Sequence, residues 1–150
     1  VAEKKKSQRL SLVLDLAERD EENERKKMGE IRRRVEQAEG KLEQLVAYQR
    51  DYQDELRGTQ NGVRSVRHIQ TYHVFISRLG SAIEQQQQQL LLLKQQLSQQ
   101  TEVWRAAYQK KNNMQDFIDR CKKEEAYYED KKQQRNLDDA VGRRAYHNRH

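Results

Sequence analysis

The sequence predicts an all-α protein built as a long antiparallel two-helix coiled coil, a helical hairpin whose second helix is the longer. Three observations carry this. The 150 residues include no proline and only 6 glycines, too few for the frequent turns of sandwiches and barrels. Charged residues make up 36% and apolar residues 34%, against about a quarter and nearly half in ordinary globular domains. That leaves little matter for a thick core and suits helices rich in Glu, Lys, Arg, Gln and Leu. Finally, apolar residues recur at alternating steps of three and four over two long stretches. A disordered polar chain does not hold one phase for so long.

The first helix is expected over residues 8–57. Met28, Ile31, Val35, Ala38, Leu42, Leu45, Tyr52 and Leu56 form its heptad seam, with Gln49 in a polar slot. In the same phase, Leu10, Leu14 and Ala17 extend the seam backwards, and Glu21 and Glu24 occupy the slots between. Charges at seam positions weaken a coiled coil, so residues 18–27 read as a loosely packed stretch. A turn is expected over 58–65, where Gly58, the Asn61-Gly62 pair and the helix-starting Ser65 lie.

The second helix is expected over 66–135. Its seam runs from Ile69, Tyr72, Ile76, Leu79 and Ile83 through Gln86, Leu90, Leu93, Leu97, Gln100, Trp104 and Ala107 to Lys111, Met114, Ile118 and Cys121. Residues 136–150 carry Arg143, Arg144, Arg149, His147 and His150 and read as a basic flexible tail. At 1.5 Å per residue the arms measure roughly 75 Å and roughly 105 Å. With the turn centred on residue 61, position i faces 122 − i, and the first helix runs out near residue 112. The stretch after Asn113, with Met114, Phe117, Ile118 and Cys121, is then an apolar stripe without a partner in its own chain. All of this makes one coiled-coil domain.

No catalytic chemistry is expected. The glycines are not in a phosphate-loop or dinucleotide spacing. His68 and His73 do not share a helix face, and no second ligand group accompanies them. Cys121 stands alone at a seam slot, where a thiol is small core. No cofactor or metal is implied, and a two-helix hairpin offers no pocket in which carboxylates could be dried. The net charge of +6 is mild and interspersed. Asp138 and Asp139 beside the tail arginines, and the lack of an aromatic-interleaved basic platform, argue against nucleic acid. No segment reaches the ~20 apolar residues of a membrane span. The basic start and the interrupted Leu10–Ala17 stretch do not resemble a secretory signal.

Function must therefore lie on surfaces, and one flank of the seam stands out. In an antiparallel hairpin the g positions of both helices share a side. Here they place Tyr48 opposite Phe75 and Lys41 opposite Ala82, whereas the e flank is largely polar. The aromatics either cover the seam or form a docking patch; heptad arithmetic leaves both open.

The run Gln37-Ala38-Glu39, Leu45-x-x-Tyr48-Gln49-x-x-Tyr52, Asn61-Gly62, Ile69-x-x-Tyr72-x-x-Phe75-Ile76-x-x-Leu79, Ala82-Ile83-Glu84-Gln85, with the later Trp104-Arg105 pair, resembles the bacterial flagellar export protein FliJ family. The similarity covers roughly residues 10–120. It implies a non-enzymatic, stalk-like coiled coil of the flagellar type III export apparatus. Such a component is cytoplasmic, peripheral at the inner membrane, and needed for flagellum assembly and motility. The implied partners are the export ATPase ring, the cytoplasmic domain of the export gate protein, and export chaperones. The family's gate-contacting set falls on Leu45, Tyr48, Tyr52, Phe75, Leu79 and Ala82. Its end positions, Gln and His in the family, fall on Lys41 and Gln86, so no histidine is available there. The resemblance places the ATPase contact at the end away from the turn, on Lys110, Lys111, Met114, Phe117 and Ile118. The competing expectation is a plain coiled-coil scaffold or tether that homodimerises.

Overall fold

The computed structural model describes residues 5–59 and 65–149. Helix α1 spans Lys6–Thr59 and helix α2 spans Val66–Arg149. They pair as a helical hairpin with the longer second arm, and no strand occurs among the described residues. Ser65 caps α2 as its sequence suggests: its hydroxyl and its carbonyl both accept from the His68 amide, at 3.4 and 3.0 Å. Gly58 remains inside α1. The Asn61-Gly62 turn lies outside the described residues.

The chain divides into two compact units. Residues 24–104 form one, and the segments before residue 24 and after residue 104 form the other. In the first, every expected seam slot is buried or half-buried, from Glu24 to Leu56 and from Ile69 to Trp104. Three seam glutamines reach across to the opposite helix. The Gln49 amide donates to the Ile76 carbonyl, that of Gln86 to the Ala38 carbonyl at 3.1 Å, and that of Gln100 to the Glu24 carbonyl and carboxylate. A helix carbonyl keeps a second lone pair after its own ladder bond, so these polar slots are satisfied without breaking either helix. The expectation of loose packing at Glu24 is corrected by this tie: Glu24 also holds Lys27 at 3.2 Å.

The same bonds correct the register. Gln86 with Ala38, and Gln100 with Glu24, are pairs whose numbers total 124 rather than 122, so α1 reaches further along α2 than a turn centred on residue 61 allows.

In the second unit the expected overhang after Asn113 is not found. Ile118 is 2% exposed and Cys121 6%, and the start of α1 supplies their cover. The Ser7 amide and hydroxyl donate to the two oxygens of the Glu125 carboxylate, at 3.1 and 2.7 Å. Three causes combine: α1 begins at Lys6 rather than residue 8, the register is longer, and Glu125 leans toward its own helix N-terminus, as helical side chains do. Glu21, the other charged residue in the α1 seam, is also buried, and among the described residues no buried side-chain nitrogen or oxygen lacks a partner.

The tail differs as well. α2 does not stop near residue 135 but continues to Arg149, with residues 126–149 exposed throughout. This segment has no proline and a single glycine, Gly142, so no strong breaker ends the helix.

Candidate docking surface

The residues expected on the g flank lie in the unit of residues 24–104. Leu45, Tyr52, Leu79 and Ala82 are half-buried, while Tyr48 is 52% and Phe75 44% exposed. The seam slots among them thus form a packed floor, and the two aromatics rise from it into solvent. Tyr48 and Phe75 do not meet as the sequence suggested. The Phe75 ring packs on Tyr52, centroids 4.8 Å apart. Side chains on antiparallel helices lean in opposite directions along the axis. Phe75 therefore leans back toward the layer of Tyr72 and Tyr52, and Tyr48 away from it.

A row of rings follows. Tyr52 meets Tyr72 at 5.8 Å, and Tyr72 meets the edge of His68 at 4.8 Å. The Tyr72 hydroxyl donates to Glu55 at 2.8 Å, tying the row to α1. Phe75 is thus braced from beneath while its outer face stays open. Of the two end positions, Lys41 is exposed, whereas Gln86 is half-buried and spends its amide on the Ala38 carbonyl.

Sequence reasoning missed the outer face of α2 beside this flank. Val74 is 53% exposed. With Arg67, Gln70, Thr71, Phe75 and Arg78 it lines a shallow depression of about 280 Å³. Its signal in the sequence is an apolar residue, Val74, at an outward heptad position.

The second expected surface lies in the other unit and is only partly available. Ile118 is core, and Met114 and Lys111 are half-buried seam residues. The Lys111 ammonium sits over the Tyr108 ring at 4.8 Å. Phe117 is 37% exposed and stands between two cations, Lys6 at 5.1 Å and Arg120 at 5.9 Å. Lys110, Met114 and Phe117, with Ala106, Gln109 and Asn113, line an open groove of about 450 Å³.

Two carboxylates are held below their ordinary range. Glu24 is lowered first by the Gln100 hydrogen bond and then by Lys27; Glu125 is lowered by the hydroxyl and amide of Ser7. Both carboxylates take part in the pairing of the two helices. Among the described residues no three groups are arranged to hold a metal, and no helix is long and apolar enough to cross a membrane.

The chain as a whole matches a known kind of protein. The family model described as "Flagellar FliJ protein" matches residues 5–150. The Flagellar FliJ protein of Salmonella typhi is 33% identical over 137 residues, covering 91% of this chain and 92% of that protein. Its counterpart in Escherichia coli (strain K12) is 32% identical over the same coverage. No solved structure matches the chain significantly. A two-helix hairpin with this seam, matched nearly end to end by that family model, belongs to the flagellar FliJ family and is a component of flagellar protein export.

Proposed function

We propose that the chain is a non-enzymatic, stalk-like coupling component of the flagellar type III export apparatus. It joins the export ATPase ring to the cytoplasmic domain of the export gate protein and binds export chaperones. It works in the cytoplasm, peripheral at the inner membrane, and flagellum assembly and motility need it. The observation that carries this reading is the g flank. Tyr48 and Phe75 are large, exposed and adjacent to half-buried Leu45, Tyr52, Leu79 and Ala82. Exposed aromatic anchors on a packed floor are the chemistry of a docking site. Burying two rings and their neighbours is worth a few kcal/mol at ~25 cal/mol per Å², and association entropy offsets much of that. Such contact is reversible, as a part that engages and releases requires.

The ATPase contact is assigned to the groove of Lys110, Met114 and Phe117, with Ile118 acting as core beneath it. The gate contact is tested by Tyr48→Ala and Phe75→Ala. Each should reduce binding to the gate protein's cytoplasmic domain and reduce swimming. Tyr48→Ala should leave the melting temperature nearly unchanged, and Phe75→Ala should lower it only by the loss of its stacking on Tyr52. If binding falls only in proportion to stability, the rings are seam cover. If both variants bind like the parent, the docking assignment is wrong.

A further inference from the structure

We infer that the gate-docking surface continues past the g flank onto the outer face of α2, and that it receives an acidic segment of the partner there. That segment seats an apolar side chain on Val74 and Phe75 and presents carboxylates to Arg67 and Arg78. The inference rests on the gate-docking reading above and deepens it by naming the chemistry of the partner's surface.

Three observations meet at this place. The first is shape: Val74, Phe75, Arg67 and Arg78 line one depression, in which the apolar groups lie between the two arginines. Val74 is 53% and Phe75 44% exposed, and the second of these is already held in place by Tyr52. A pre-positioned apolar floor loses little freedom on binding.

The second is charge. From Ser65 to Ile83 the chain has two arginines and two histidines but no Asp or Glu. The facing stretch of α1, residues 41–57, by contrast carries four acidic residues among its three basic ones. On the facing part of α1, Glu55 accepts the Tyr72 hydroxyl and Asp54 lies 4.0 Å from Arg57, and none of the carboxylates there, exposed Asp51 included, forms an ion pair with Arg67 or Arg78. Arg67 and Arg78 have no ion-pair partner among the described residues. A cationic rim with no internal counter-charge calls for carboxylates from outside.

The third is spacing. Arg67 and Arg78 are eleven residues apart, three turns of one helix face, or about 16 Å along the axis. An extended acidic segment of five to six residues spans that distance at ~3.3 Å per residue, with its middle side chain above Val74.

The test uses the full chain and the gate protein's cytoplasmic domain from the same bacterium. Affinity is measured at roughly 50 mM and roughly 300 mM salt, between which surface charge pairs become strongly screened. The variants are Arg67→Glu with Arg78→Glu, Val74→Ala, Tyr48→Ala, and the distant exposed pair Arg32→Glu with Arg33→Glu. The expected results are about a tenfold loss for the Arg67/Arg78 reversal and loss of most of the salt dependence. Val74→Ala should bind a few-fold more weakly, and the Arg32/Arg33 reversal should bind like the parent. All positions are exposed, so melting curves should superimpose. If Tyr48→Ala loses binding while the Arg67/Arg78 reversal does not, the inference is overturned and the docking reading stands. If none of the variants changes binding, the docking reading falls and the inference with it. If the parent binds anionic lipid vesicles, and the reversal abolishes that while sparing gate binding, the face belongs to lipid and the inference is wrong.

Discussion

Phe117 and Ile118 are chain neighbours with opposite fates, 37% and 2% exposed. One is a surface anchor between two cations; the other is the most deeply buried large side chain of its unit. Ile118→Ala should therefore cost ~2–3 kcal/mol, the lower part of the range for a buried aliphatic residue, read as a fall in melting temperature. Phe117→Ala should cost under ~1 kcal/mol per lost cation contact. Equal losses would mean that the start of α1 does not cover Ile118 in solution. Two further residues set a pH response. Glu24 and Glu125 are depressed in the folded state by the Gln100 and Ser7 hydrogen bonds. A depressed carboxylate contributes stability above its unfolded value and loses it as pH falls through the folded one. Thermal stability should thus decline as pH drops through and below the ordinary carboxylate range. Glu125→Gln with Ser7→Ala should flatten part of that decline, and an unchanged profile would show that the tie does not persist in solution.

Along the helices, the element boundaries were legible where the sequence changes its chemistry. Ser65 starts α2 as read. The end of α2 was not legible, because no residue marks it and no packing partner decides it. Residues 126–149 are helical by local preference alone. The arms also contain glycines where helices prefer alanine. A Cβ added at Gly29 or Gly40 would meet nothing within 4 Å, and neither has a positive φ. Each Gly→Ala change should raise stability by ~0.5–1 kcal/mol, measurable by denaturant unfolding. Gly80 is different: its Cβ would sit 3.4 Å from the Gln49 amide nitrogen, which donates to the Ile76 carbonyl. Gly80→Ala should gain less than Gly40→Ala. Equal gains would show that the Gln49 contact has slack.

For the molecule as a whole, heptad phase gave the seam almost completely: its slots are buried or half-buried as far as Glu125. Register was not readable to better than a few residues, because phase says which face packs and not how far one arm slides past the other. Three cross-helix glutamines carry that information, and only the folded state shows what their amides reach. The overhang was misplaced for the same reason. Of the docking flank, position was legible and ring contacts were not, since they depend on the lean of each side chain. A polar seam residue trades stability for a single register. Gln86→Leu should melt higher than the parent yet populate additional species by analytical ultracentrifugation. A single monodisperse species would show that register is fixed elsewhere.

The cross-helix hydrogen bonds differ widely in how much chain they enclose. Tyr72 and Glu55 are 17 residues apart, Gln49 and Ile76 are 27, Gln86 and Ala38 are 48, Gln100 and Glu24 are 76, and Ser7 and Glu125 are 118. Loop-closure entropy rises with each separation unless the shorter loops have closed first. The hairpin should therefore zip from its turn, each bond shortening the loop left for the next, with the Ser7–Glu125 clasp closing last. Ser7→Ala should then leave the refolding rate unchanged and speed unfolding, the kinetic mark of a contact absent from the transition state. Stopped-flow measurements in which refolding slows instead would mean that folding begins at the far end of the zipper.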